Sequence, residues 1–238
     1  MRTPIFIAAA LIVARALSAQ EPCADRLRSL ERQITGQNHL IRDWGGLIRY
    51  GSDNSELPAP SKGEDRVIFF GDQTTEYWGR TAPFFPGKPW LNRGIAGQTT
   101  DQMLVRFRQD VIALRPKAVV ILAGLNDIAG LHGSHTEEMI LDNLSSMTEL
   151  AQTNGIRVIL ASVPPSRRQW RERISELNNL IGEYSTRKGA LYLDYYTALA
   201  EGDTLKRSLT NDGVLPNDAG YAVMASQAQK AIAEALEK

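Results

Sequence analysis

The sequence has almost no cysteine. Cys23 stands alone among 238 residues, so no disulfide can form within the chain. Glu21-Pro22, directly before it, do not make the small-residue box that precedes a lipidated cysteine, and Cys23 is assigned no role. A charge excess is missing too: 27 basic and 27 acidic residues leave a formal net charge of zero. That removes the electrostatic footprint of a nucleic-acid binder or of a protein drawn to anionic membranes. No apolar run reaches the ~20 residues needed to span a bilayer. Only three histidines occur, His39, His132 and His135. The last two lack a third ligand at recognisable spacing, so the sequence predicts neither a metal nor a cofactor, and His39 is assigned no role.

The first twenty residues read differently from the rest. Arg2 precedes an apolar stretch from Ile5 to Val13, and the small residues Ala16, Ser18 and Ala19 follow. This pattern predicts a secretory signal over residues 1–19, and hence export to the periplasm or the outside. An uncleaved or disordered N-terminus, which the interruption at Arg15 favours, is the alternative. Residues 20–62 predict a helical extension and linker. Leu27, Leu30 and Ile34 make one apolar stripe, and Leu40, Trp44, Leu47 and Ile48 another. Gly36 and Gly45-Gly46 weaken that helix, and Pro58 to Gly63 reads as the linker. Residues 63–238 then form one domain, whose 43% hydrophobic content is ordinary for a globular protein.

Within that domain short apolar runs alternate with amphipathic stretches. Val67–Phe70, Trp90–Ile95, Ala118–Leu122, Val158–Leu160 and Leu191–Leu193 read as strands. Thr99 and Gln102 make a capping box before Leu104, Phe107, Val111 and Leu114, and Ser134 with Glu137 suggests another. Thr75 is read as a helix N-cap. The alternation implies an α/β fold with parallel strands and helices on both faces. The first strand is cut off by Gly71-Asp72, so Gln73 is displayed at the carboxyl edge of the sheet, where open α/β sheets bind ligands.

Four stretches fall at strand ends: Gly71-Asp72-Gln73, Asn92 to Gly97, Gly124-Leu125-Asn126-Asp127 and Asp212 to Pro216. In order and separation they resemble the SGNH (GDSL-type) hydrolases, a family of ester and acyl hydrolases. The resemblance runs from about Asp43 to the C-terminus. It implies a three-layer α/β/α flavodoxin-like sandwich with a five-stranded parallel sheet in the order 2-1-3-4-5. It also implies an oxyanion hole built from the Gln73 N–H, the Gly97 N–H and the Asn126 side chain. The ligand would be a small ester, acyl or sugar molecule.

The triad departs from the family. Gln73 stands at the position of the nucleophilic serine, and Leu215 at that of the base histidine, three residues after Asp212. A serine attacks because its hydroxyl can pass a proton to an imidazole. A glutamine amide has no comparable nucleophile, and leucine cannot accept a proton. Oxyanion donors and binding alone leave roughly 10³–10⁴-fold catalysis over water, whereas working enzymes reach about 10⁶ or more. The sequence therefore predicts a catalytically impaired, ligand-binding member of the family. Two alternatives stay open. One is an active esterase with reassigned groups, Thr74 or Thr75 with His132 or His135. The other is an interaction module with a vestigial crevice.

Three further readings concern the surroundings. His132 and His135 are read as solvated loop histidines. Trp78, Phe84, Phe85 and Trp90 either wall the crevice or cover the sheet edge. Arg167, Arg168 and Arg171 read as a solvated helix start rather than an anion site.

Overall fold

The computed structural model describes residues 25–31, 42–80 and 84–237. The leader pattern of residues 1–19, Cys23, Ile34, Gly36, His39 and Leu40 lie outside the described residues. The chain divides into two units, Met1–Trp44 and Gly45–Lys238. In the first, residues 25–31 are helical and Leu27 and Leu30 are exposed. The second carries the sheet.

Five parallel strands pair in the order β2-β1-β3-β4-β5, as the resemblance implies: β1 Val67–Gly71, β2 Trp90–Gly94, β3 Ala118–Leu122, β4 Arg157–Ala161 and β5 Leu191–Leu193. The buried runs in β1 and β3 alternate between the two faces. Ile68, Phe70, Val119 and Ile121 face one core, with Met103, Phe107, Leu144, Ile174 and Leu177. Val67, Phe69, Val120 and Leu122 face the other, with Tyr221, Met224 and Ile232 of the last helix.

The helices of this unit are α1 Gly51–Glu56, α2 Gln73–Glu76, α3 Thr100–Asp110, α4 Leu125–Ile128, α5 Glu137–Thr153, α6 Arg171–Lys188, α7 Tyr195–Leu199 and α8 Asp218–Glu237. A short antiparallel pair, Ala200–Glu201 with Thr204–Leu205, was not foreseen from sequence.

Three local expectations are corrected. Residues 45–50 are turns rather than helix, because Gly46 adopts φ +67° and Leu47 and Ile48 are exposed. Residues 45–56 pack onto the rest of this unit: the Tyr50 hydroxyl donates to Gly94 O at 2.6 Å, and Asn54 Nδ2 donates to Asp110 Oδ1 at 2.7 Å. The cap of α2 is Asp72, not Thr75, with Asp72 Oδ1 accepting from Thr74 N. The cap of α5 is Thr136 rather than Ser134, since the Thr136 hydroxyl accepts from Met139 N. At α3 the expected box is present, with Gln102 Oε1 accepting from Thr99 N at 3.1 Å.

Trp78 and Phe85 are buried against Phe69 of β1, Trp78 edge-on at a ring-centroid distance of 5.5 Å and Phe85 stacked at 5.0 Å. Of the two sequence readings, covering the sheet is the one the packing supports. Helix α3 holds a feature that apolar periodicity hides. Arg106, fully buried, pairs with Asp110 at 3.0 Å. Its guanidinium also donates to Gln98 Oε1 (2.6 Å), Arg93 O (2.9 Å) and Gly71 O (3.1 Å). One side chain thus ties the ends of β1 and β2 to the following loop.

Losing one partner of such a pair strands the other charge in the core. Arg106→Leu is expected to cost about 3–5 kcal/mol in urea unfolding. The double change Arg106→Leu/Asp110→Leu should be less destabilising than Arg106→Leu alone.

Candidate functional site

Strands β1 and β3 are neighbours, with Gly71 beside Leu122 in register and Gly94 of β2 on its other side. Each chain leaves the sheet here at the same edge, so residues 73, 97 and 126 converge. Helix α2 can start so close to β2 only because residue 94 is glycine: a Cβ there would lie 2.2 Å from Glu76 N. Gly97 adopts φ +81°, a backbone state that glycine accepts without strain.

The converging groups bond to one another. Gln73 Oε1 accepts from Gly97 N at 3.1 Å and from Asn126 Nδ2 at 2.8 Å. Gln73 Nε2 donates in return to Asn126 Oδ1 at 3.1 Å. The second Asn126 Nδ2 hydrogen goes to Gln98 O at 2.8 Å. Backbone partners fix both amides: Gly97 N–H requires an oxygen of Gln73, and Gln98 C=O requires a nitrogen of Asn126. Asn126 is 5% exposed, and Gln73 is half-buried. Two of the three donors that the resemblance implied for a ligand oxygen therefore meet on the glutamine's own carbonyl.

Asp212 and Leu215 belong to a separate loop. Asp212 Oδ1 accepts from Val214 N and Leu215 N, both at 2.9 Å, and from the Thr210 hydroxyl at 3.3 Å. Partial desolvation pushes this carboxyl up, but the three hydrogen bonds outweigh it and hold it below the usual range. Asp212 thus organises its own turn. Leu215 lines a cavity of about 530 Å³ with Tyr77, Arg80, Asn211 and Tyr221.

The hydroxyls and imidazoles considered as substitutes are placed elsewhere. Thr74 and Thr75 are buried. His132 is exposed, at φ +61°. His135 differs from expectation: its side chain is only 8% exposed, with Nε2 3.6 Å from Asp101 Oδ2. Asp127 completes a group whose candidate ligand atoms lie within 4.8 Å of one another. These three side chains could hold a cation, which sequence spacing did not reveal because two are acidic and far apart along the chain. Each carboxylate already has protein partners. Asp127 accepts from Thr100 N and Oγ1, and Asp101 from Thr99 Oγ1 and Gln102 N.

Residues 62–223 match the GDSL-like lipase/acylhydrolase family. The chain belongs to that family. It is similar to a GDSL-like lipase of Bacteroides thetaiotaomicron VPI-5482, with 40% identity, a TM-score of 0.77, and coverage of 81% of this chain and all of that one. A candidate acylhydrolase of Bacteroides fragilis NCTC 9343 is 41% identical, with a TM-score of 0.77 and coverage of 81% and 98%. A catalytic mutant of an acetylxylan esterase from Geobacillus stearothermophilus shares the fold at 20% identity, with a TM-score of 0.61 and coverage of 74% and 96%. An uncharacterized lipoprotein of Bacillus subtilis (strain 168) is 30% identical over 122 residues, which span 44% of this chain and 50% of the relative. The chain thus spans about half the length of that curated relative.

One buried carboxyl at this edge gives a pH signature. Burial pushes Asp72 up to about 7, against the opposing hydrogen bonds from Thr74. The folded state then holds this proton more tightly than the unfolded chain, so its contribution falls as pH rises from about 4 to 7, by about 1.4 kcal/mol per unit. Asn keeps the cap without the charge. Asp72→Asn is expected to raise the Tm at pH 8 more than at pH 5; an equal effect at both would show that Asp72 does not titrate in this window.

Proposed function

We propose that this protein is a catalytically silent member of its esterase family whose crevice binds a ligand without turning it over. The observation that carries this reading is the Gln73 amide oxygen lying on Gly97 N–H and Asn126 Nδ2. In a working acyl hydrolase, oxyanion donors hold the carbonyl oxygen of the substrate while a neighbouring hydroxyl attacks. Here the donors hold an amide of the protein itself. The residue that replaces the nucleophile also occupies the place where the substrate oxygen would sit.

An ester carbonyl can take those donors only by displacing Gln73. Three hydrogen bonds, each worth about 0.5–1.5 kcal/mol net, make that displacement cost roughly 1.5–4.5 kcal/mol. The equivalent loss of affinity is about 10- to 2000-fold. Chemistry would still lack a base, since Leu215 cannot move a proton. A ligand of the acyl, ester or acylated-sugar class therefore meets the Leu215 cavity and the one Gln73 Nε2 hydrogen that has no partner among the described residues. The reassigned-triad alternative loses support, because Thr74 and Thr75 are buried and His135 lies against Asp101. Export is part of the proposal. It rests on the leader pattern at residues 1–19 and on the Bacillus subtilis relative, which is described as a lipoprotein. The division into a leader (residues 1–19), an N-terminal segment (20–62) and a hydrolase-type domain (63–238) is likewise part of the proposal and rests on the sequence pattern.

The test compares the parent with Gln73→Ser/Leu215→His on p-nitrophenyl acetate and a fluorophosphonate probe. The parent is expected to show no hydrolysis above background and no covalent adduct, and the double variant to gain both. Rapid hydrolysis by the parent that Asn126→Ala abolishes would overturn the reading.

A further inference from the structure

Strand β4 leaves the sheet into Ser162 to Arg171, which reaches the loop that carries Asp212. Between them lies a cavity of about 590 Å³, lined by Ser166, Arg167, Arg168, Arg207 and Asp212 among others. Asn211 lines both this cavity and the one beside Leu215, so the two adjoin. The composition is lopsided: three guanidinium groups stand against one carboxylate. Arg171, grouped with Arg167 and Arg168 by sequence, is instead engaged by Glu172 at 3.3 Å and Asp203 at 3.8 Å. Arg207, 36 residues beyond it, takes its place. None of Arg167, Arg168 and Arg207 has a carboxylate partner among the described residues.

Ser166, in the same lining, adds a second observation. Ser166 is 2% exposed, and its hydroxyl is buried without a hydrogen-bond partner. Buried hydroxyls are normally paired, and leaving one unpaired costs about 1–3 kcal/mol. The cavity lining thus combines one donor without a partner with three guanidiniums that lack carboxylates, one of them, Arg167, 5.8 Å over the Trp170 ring. Guanidinium forks match tetrahedral oxyanions in two-point contact, which ammonium groups cannot do. Asp212 sets a limit on the field, but its Oδ1 is spent on the Leu215 and Val214 N–H groups.

We infer that this cavity binds a phosphate or sulfate group, through Arg167, Arg168 and Arg207 with the Ser166 hydroxyl as a fourth donor. The cavity is far larger than the bare ion, so the group arrives on a larger molecule, such as a phosphorylated or sulfated sugar. Because the guanidiniums are exposed, binding weakens as salt rises. The inference does not depend on the state of Gln73.

Isothermal titration of the full chain tests it. Inorganic phosphate, sodium sulfate and glucose 6-phosphate are titrated against a sodium chloride control of equal ionic strength. Saturable binding of phosphate or sulfate is expected, with a Tm rise of roughly 3–6 °C at ten times the Kd. Glucose 6-phosphate should bind at least as tightly as inorganic phosphate, and sulfate arms rank the two ester types. Arg168→Gln/Arg207→Gln should weaken binding by about tenfold or more. Ser166→Ala should weaken binding while the ligand-free Tm stays level or rises, which a hydroxyl with a structural partner would not do. No saturable heat beyond the chloride control, or undiminished binding by the arginine double variant, would overturn the site. A lowered ligand-free Tm with unchanged binding in Ser166→Ala would remove the serine from it.

Discussion

The geometry of the crevice depends on one buried ion pair. Arg106 and Asp110 are both fully buried, and burial pulls the guanidinium down to about 10, an effect that Asp110 opposes. At neutral pH the charge persists, and its remaining donors go to Gly71 O, Arg93 O and Gln98 Oε1. Those three groups mark the end of β1, the end of β2 and the loop that carries Gly97. Gln98 in turn offers its carbonyl to Asn126 and its side chain to Gly45 O. The Arg106 ring contact, 4.1 Å above Phe70, seats the cation against the core. A buried pair is weak evidence for net stability, but here it sets the register of three backbone segments.

On that frame Gln73, at the position that the resemblance gives to a catalytic serine, does more than withhold a hydroxyl. Serine at position 73 would present a hydroxyl near the donors. Glutamine is longer by enough to reach them, and its amide has the donor and acceptor to pair with Asn126 in both directions. The preorganised donors, costly to leave unpaired in a half-buried site, are satisfied from within. Leu215, at the position that the resemblance gives to the base histidine, lines a cavity wall while Asp212 serves its own turn.

Much of the fold was legible in the chain. Val67–Gly71 and Ala118–Leu122 are apolar runs closed by glycine-bearing turns, and a parallel buried strand has few other signatures. The strand order came through the family resemblance rather than from periodicity. What stayed hidden is polar and non-local. Arg106 and Asp110 lie between apolar positions of α3, and only their spacing of four hints at a pair. The Asp101–Asp127–His135 group joins residues from three segments. Arg207 joins Arg167 and Arg168 only because the loop before α8 folds back toward β4. Helix caps were misassigned by two or three residues where several hydroxyl or carboxyl side chains stand near the start, as at Ser134 and Thr136. The identity of Gln73 was visible at once, but not that its carbonyl turns inward to the two donors.

The most direct measurement of that inward turn is amide hydrogen exchange at Gly97, followed by NMR in the parent and in Gln73→Ala. If the Gln73 carbonyl holds the Gly97 N–H, that amide is protected in the parent and exchanges at least tenfold faster in the variant, while amides of β3 are unchanged. Equal exchange at Gly97 in the two proteins would mean that the donors stand open, and the account of a self-occupied crevice would fail.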